Sequence, residues 1–395
     1  MSSVATERRE RCAICGSRTL DVVADLPGLP LTGFFVPAPP KERPVGVDQR
    51  LLMCGECGHG QLEQMIAPSI LYGEDYGFRS ESGERSPSDE LTTILDEIAP
   101  GKRFGCVLDI GCNDLYLLKQ LRGRADALVG IDPIWEGKEH ENTEPDIQAV
   151  GGNVAAIDLA ARIRPRPDLI VCSHTLEHIQ DPLGVLRQLM EFAEDGALFL
   201  FQSPSLDDMV RETRFDLVFH EHVQYFSCAS FLALIDAVGG RYVMHRESHW
   251  HKATLSVAFS KSAETSTAQA NIPHYSSRDA VLAFQEFIRQ VEMTRDALNS
   301  QRDGHAYGYG AAGALETLAY HMDDDFSALA AILDDAPGKR GLYYPTLTPQ
   351  IVASEDISDI GESVVMITAV DSGPQIMKRL SAEAPRHIIY PFHLR

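Results

Sequence analysis

His220, Glu221 and His222 stand side by side in the stretch FHEHVQYFS (residues 219–227), bracketed by aromatic residues. Three adjacent titratable groups in so apolar a setting could bind a metal, move a proton or close a buried hydrogen bond. On a strand the two histidines would share one face and Glu221 the other, so the three would not converge on one ion. Nor is a further acid or histidine spaced to complete a metal site. A proton is the better reading. Histidine titrates near neutral pH, and a neighbouring carboxylate can orient the ring and stabilise its charged form, which makes His222 a candidate base. A purely structural Glu–His pair is the alternative.

The second set is sulfur. Four of the eight cysteines form two C-x-x-C pairs, Cys12 with Cys15 and Cys54 with Cys57, while Cys106, Cys112, Cys172 and Cys228 stand alone. A two-residue spacer points both thiolates at one tetrahedral ion, and Gly16 and Gly58 after the pairs permit the tight turn. Two such pairs predict a structural zinc centre with four cysteine ligands and no open position. Four unrelated buried thiols, or a redox dithiol, are the alternatives. His59 is not needed as a ligand.

The elements that must position these groups follow along the chain. FGCVLDIGCNDLYLLKQL (104–121) runs from an apolar strand through a tight turn into a helix with apolar spacing at Leu115, Leu118 and Leu121. Gly111 lets a ligand approach the backbone, and the following helix start favours an anionic group. About twenty residues on, ALVGIDP ends a strand at Asp132, where an acid suits ribose hydroxyls. PDLIVCSHTLEHIQDP (167–182) and GALFLFQSPS (196–205) supply two more strands. Alternation of this kind predicts a parallel sheet with its ligand at the carboxyl ends of the strands. The candidate cofactor contacts there are Gly111, Cys112, Asn113, Asp114, Asp132, Asn153 and Ser173.

The C-terminal third opens with a polar linker (260–273) and a long amphipathic helix over 277–302, with Val281, Phe284, Ile288 and Val291 on one stripe and Ser277 as its cap. Gly308, Gly310 and Gly313 then form G-x-G-x-x-G, with Asp334 and Asp335 about twenty residues later, the pattern of a dinucleotide fingerprint.

The whole chain has 395 residues and a formal charge of −22. That length predicts two to three domains, and that charge argues against nucleic acid or an anionic membrane surface as partner. The charged start carries no signal peptide pattern and no stretch is apolar enough to span a membrane, so a soluble, cytoplasmic protein is expected.

Taken together, the paired cysteines, the YGEDYGFRSESG stretch (72–83), the DIGCND turn, LEHIQDP and FHEHVQYFS resemble the class I S-adenosylmethionine (SAM)-dependent methyltransferases. More narrowly the chain resembles the three-domain, zinc-binding sugar C-methyltransferases that act on nucleotide-linked keto-deoxysugars. The resemblance implies an α/β chain with a zinc-ribbon-like domain (1–75), a Rossmann-like SAM domain (76–262) and a Rossmann-like C-terminal domain (263–395). It implies SAM and structural zinc as cofactors, a small-molecule acceptor, Glu221 and His222 at the acceptor site, Tyr76 reaching into it and His178 nearby. Its C-terminal domain would help hold the nucleotide end of the substrate. The chain departs from the family where Leu115 replaces a glycine after the turn, where Phe219 replaces a tyrosine, and where HWHKATLSV (249–257) lacks a G-G-S segment. An O- or N-methyltransferase and an NAD-dependent sugar oxidoreductase are the competing readings.

Overall fold

The computed structural model describes residues 4–71, 87–248, 254–262, 275–301 and 305–392. At the N-terminus β1 (Thr6–Arg8) is followed by three strands that pair antiparallel with one another in a separate sheet, β2 (Leu20–Leu29), β3 (Val47–Cys54) and β4 (Gly60–Leu62). Beyond them β5 (Gln64–Ile66) folds back to pair with β1. The turns after the cysteine pairs run through Gly16 and Gly58, whose φ angles of 72° and 70° suit glycine.

The central sheet is built from β6 (Phe104–Ile110), β7 (Ala125–Asp132), β8 (Ile147–Gly151), β9 (Leu169–Ser173) and β10 (Leu198–Pro204), all parallel. A short strand, β11 (Gln224–Tyr225), follows. Then β12 (Arg241–Ser248) and β13 (Thr254–Ser260) complete a seven-stranded order β12-β13-β10-β9-β6-β7-β8, with β13 antiparallel to its neighbours. From β6 the chain winds outward to β7 and β8, then crosses back to β9 and β10. The reversal between β6 and β9 opens a crevice at the carboxyl ends of those strands, the place where such sheets bind ligands. Strands covered on both faces must be apolar throughout, and Cys106, Val107 and Leu108 of β6 are fully buried.

β11 does not join that sheet. It pairs with β4, Gln224 opposite Gln61 and Tyr225 opposite Gly60, so the chain just after the HEH turn is stitched to the N-terminal sheet.

The C-terminal sheet is wholly parallel, with β14 (Ala306–Tyr309), β15 (Ala331–Leu333), β16 (Ile351–Val352), β17 (Val364–Ile367) and β18 (His387–Ile389) in the order β16-β15-β14-β17-β18. The long helix spans Ser277–Asn299, but its cap is Ser276, one residue earlier than the sequence reading. Asp279 decides the matter: its carboxylate accepts from the Ser276 backbone N–H at 2.8 Å while the Ser276 hydroxyl accepts from Asp279 N–H. The Ser277 hydroxyl donates instead to Asp21 at 2.6 Å. The buried stripe is centred on Ala280, Phe287, Val291 and Leu298, with Phe284 and Ile288 at its border. It shares one core with Leu26 and Leu51 of the N-terminal sheet, Met209 and Phe215 of the central region, and Ile332 and Met366 of the C-terminal sheet.

Candidate active site

The candidate cofactor residues lie at the carboxyl ends of adjacent strands β8, β7, β6 and β9. After β6 the Gly111 N–H donates to Ile131 O at 2.8 Å, and φ at Gly111 is 75°. A Cβ there would meet Thr175 Oγ1 at 1.9 Å, so only glycine fits between the two strand ends. Asp132 ties the turn together: Oδ2 accepts from Asn113 N–H and Oδ1 from Ile134 N–H, each at 3.0 Å. The Trp135 indole donates to Asn113 O at 2.8 Å. Asp114 Oδ1 accepts from Tyr116 N–H at 3.3 Å at the start of the short helix Tyr116–Gln120. Cys112 turns inward; it is buried and its Sγ lies against Gly130, so it offers the turn only its backbone. Asn153 is exposed beyond β8 and accepts from Ala155 N–H, while the Ser173 hydroxyl donates to Gln202 at 2.9 Å.

Leu115 sits where a glycine was expected from the resemblance, and the reason for that expectation is visible. Its φ is 64°, and Asn113 two residues before has φ 44°. Left-handed backbone costs a leucine roughly 1–2 kcal/mol. The side chain, buried to 1% exposure, offsets this by packing into the core beneath the turn.

The HEH segment is a turn rather than a strand, and its three side chains diverge. His220 is buried between Gln49 and the Leu29 carbonyl, to which its Nε2 donates at 3.1 Å. The Glu221 carboxylate accepts from the Thr32 hydroxyl at 3.0 and 3.1 Å; burial raises its carboxyl to about 7. His222 faces a different carboxylate. Glu177, from the LEHIQDP segment, is grouped with His178 and His222, their ligand atoms all within 4.8 Å of one another. This corrects the expectation that no further acid or histidine stands by to complete a metal site. The sequence spacing hid it because the segments are 45 residues apart.

His178 Nδ1 donates to Glu221 O at 2.8 Å, and its ring meets that of His222 edge-on at 4.8 Å between centroids. Phe219 covers His222 at 4.2 Å. Burial, and then the neighbouring His178, push the His222 imidazole down to about 3, so the ring is neutral at working pH. Glu177 experiences opposing effects. Burial raises its carboxyl, but the rings of His174, His178 and His222 outweigh that and hold it below the usual carboxylate range. Glu177 and Thr32 are the residues that sequence reasoning missed; Glu177 lay in a recognised segment, whereas Thr32 carried no signal. Tyr76 lies outside the described residues.

The four sulfurs of Cys12, Cys15, Cys54 and Cys57 converge within 4.8 Å of one another, with Cys12–Cys57 and Cys15–Cys54 at 3.5 Å. An all-thiolate donor set of this closeness fits a closed, structural zinc site. His59 stays out of it, its Nε2 2.9 Å from Gln224 Oε1.

In the C-terminal sheet the fingerprint turn is engaged with its own acid. Ala311 N–H donates to Asp334 Oδ2 at 2.7 Å, and the Lys339 ammonium donates to Ala311 O at 2.7 Å. Glu316, in the first turn of the following helix (Leu315–Met322), is buried at 1% exposure and pushed up by burial to about 8. A buried carboxyl at that helix start is poorly suited to a pyrophosphate.

Three family models match the chain in succession. A zinc binding domain of methyltransferases matches residues 12–72, a methyltransferase domain residues 83–244, and a C-methyltransferase C-terminal domain residues 239–390. C-methyltransferase NovU of Streptomyces niveus is 26% identical over 265 residues, 63% of this chain and 60% of NovU. A ubiquinone biosynthesis O-methyltransferase of Pseudoalteromonas translucida is 26% identical over 129 residues, 31% of this chain and 54% of that protein. The chain thus spans little more than half the length of these relatives. Among solved structures, N-methyltransferase NodS of Bradyrhizobium japonicum is 15% identical, with a TM-score of 0.34 over 44% of this chain and 94% of that one. Among the described residues no helix is long and apolar enough to cross a membrane.

Proposed function

We propose that this chain, which belongs to the three-domain SAM-dependent methyltransferases, transfers a methyl group to a carbon beside a carbonyl. The acceptor in this reading is a nucleotide-linked keto-deoxysugar. The observation that carries it is the cluster of Glu221, His222, His178 and Glu177 set against a crevice whose turn suits SAM. Methylation of a nitrogen or oxygen needs such a cluster less than methylation of a carbon does. A carbon acceptor must first lose a proton, and a buried acid–base pair beside the cofactor is what that step needs. The C-methyltransferase descriptions of the C-terminal family model and of NovU support the same choice.

When bound, SAM supplies an electrophilic methyl group. The chain's own residues do the rest. Gly111, Asn113 and Asp132 hold the cofactor end of the crevice. His222, whose neutral ring lies beside Glu177, receives the acceptor's α-proton, and the electron pair passes to the carbonyl oxygen. Holding the resulting nucleophilic carbon in line with the methyl group is a matter of placement. An NAD-dependent reaction in the C-terminal domain is disfavoured by Glu316 and by the Asp334 contact with the turn.

Solvent exchange tests this reading. With S-adenosylhomocysteine and a nucleotide-linked keto-deoxysugar in deuterated water, the parent should exchange the α-proton. Both Glu221→Gln and His222→Asn should slow exchange and methyl transfer by roughly 10²–10⁴-fold, with SAM affinity unchanged. Near-normal turnover in both variants would move the proton-accepting group elsewhere.

A further inference from the structure

We propose that Glu316 of the C-terminal domain binds a ring hydroxyl of the acceptor sugar and so helps to choose which sugar is methylated. The inference rests on the methyl-transfer reading above and extends its acceptor site across the junction of the three domains. No step of the reaction uses Glu316. Yet its side chain is 1% exposed, and Oε2 has no hydrogen-bond partner among the described residues. Oε1 accepts from the Thr346 hydroxyl. A buried carboxyl with one bare oxygen costs stability, and a ligand that supplies the missing bond recovers it.

The backbone sets this carboxyl beside the acceptor side. In the loop between β2 and β3, Val36 pairs antiparallel with Tyr343 of the loop between β15 and β16. The Val36 N–H donates to Tyr343 O at 2.8 Å, and Val36 O accepts from Tyr343 N–H at 2.9 Å. In such a pair the residues before Val36 run alongside those after Tyr343. The next two comply: the rings of Phe35 and Tyr344 lie 5.0 Å apart between centroids, and the buried Tyr344 donates its hydroxyl to Ala312 O at 2.8 Å. Continued, the two segments bring Thr32 and Thr346 to the same end. Thr32 donates to Glu221 and Thr346 to Glu316. Two buried carboxyls, one from the HEH turn and one from the C-terminal domain, are therefore each held by a threonine hydroxyl at one junction.

Protonation selects the ligand. Burial raises the Glu316 carboxyl to about 8, and the nearby Glu221 adds to the rise, so Glu316 is protonated at neutral pH. Because Oε1 accepts from Thr346, the proton sits on Oε2. A phosphate there would meet the charge of Glu221, and an apolar group would leave the O–H without an acceptor. A hydroxyl accepts from Oε2 and can donate its own proton onward. Deoxysugars differ in which ring hydroxyls remain, so one hydroxyl recognised here tells them apart.

A binding comparison tests this. Protein loaded with S-adenosylhomocysteine is titrated by calorimetry with a nucleotide-linked keto-deoxysugar, and with analogues in which each ring hydroxyl in turn is replaced by hydrogen. In the parent, one replacement should weaken binding about tenfold. In Glu316→Met, which keeps the volume but has no donor, the full sugar should bind as weakly as that analogue. Glu316→Gln, whose amide still donates, should restore the difference, and Thr346→Val, which releases the carboxyl, should narrow it. SAM affinity and thermal unfolding report that each variant is folded, and Thr346→Val takes over the comparison should Glu316→Met fail that check. A parent that binds the sugars without methylating carbon counts against the methyl-transfer reading and leaves the hydroxyl comparison standing. A parent that binds the whole series alike, or not at all, overturns the proposal, as does undiminished discrimination in Glu316→Met or Thr346→Val.

Discussion

Replacing Asp132 by alanine probes the cofactor turn where the structure makes the outcome calculable. Both carboxylate oxygens already accept backbone hydrogen bonds, from Asn113 and from Ile134, at 3.0 Å. Hydrogen bonds to a charged acceptor contribute about 1.5–3 kcal/mol each, so Asp132→Ala should lower stability by a few kcal/mol in denaturant titration. It also removes the acceptor proposed for the ribose and frees Asn113, whose φ of 44° is held by that anchor. A loss of about 1–3 kcal/mol in SAM binding corresponds to roughly 5–150-fold weaker affinity by calorimetry. Asp132→Asn keeps an oxygen for one of the two backbone bonds and should fall between parent and alanine on both measures. If Asp132→Ala binds SAM as tightly as the parent, the turn is not the cofactor site and the reasoning from strand ends to ligand fails.

Cys54→Ser should remove zinc from metal analysis and destabilise the N-terminal sheet, because a structural site contributes folding energy directly. Leu115→Gly relieves about 1 kcal/mol of left-handed strain but empties a leucine-sized space that is worth about 2–5 kcal/mol, so denaturant unfolding should show a net loss; a stabilised variant would contradict the packing. His321 is buried among Phe284, Phe287 and Tyr320, and burial lowers its imidazole from 6.5 to about 3. The unfolded chain therefore takes up that proton first, so its contribution is intact above pH 6.5 and is lost as pH falls toward 3. Between pH 7 and pH 5 the parent should lose about 2 kcal/mol more than His321→Gln; parallel stability curves would refute this.

Short-range signals were legible. The cysteine pairs, the strand–turn–helix at Gly111 and the second glycine turn at Gly308–Gly310 are each written within a few residues, since backbone sterics and ligand spacing act locally. The acceptor side was legible only in part. His178 and His222 lie side by side, yet the carboxylate beside His222 is Glu177, while Glu221 reaches Thr32, 189 residues away in the chain. Such partners are set by how β11 docks on the N-terminal sheet, and no local periodicity encodes that pairing. The cap at Ser276 differed for a smaller reason: two serines compete, and the position of Asp279 chooses between them.

The central claim is that the methyl group goes to carbon. Turnover of a nucleotide-linked keto-deoxysugar with SAM carrying a carbon-13 methyl, read by carbon NMR of the product, tests it most directly. The account predicts the label in a methyl group bonded to the carbon beside the carbonyl, with one solvent-exchangeable proton replaced. Label on an oxygen or nitrogen of the acceptor would contradict it.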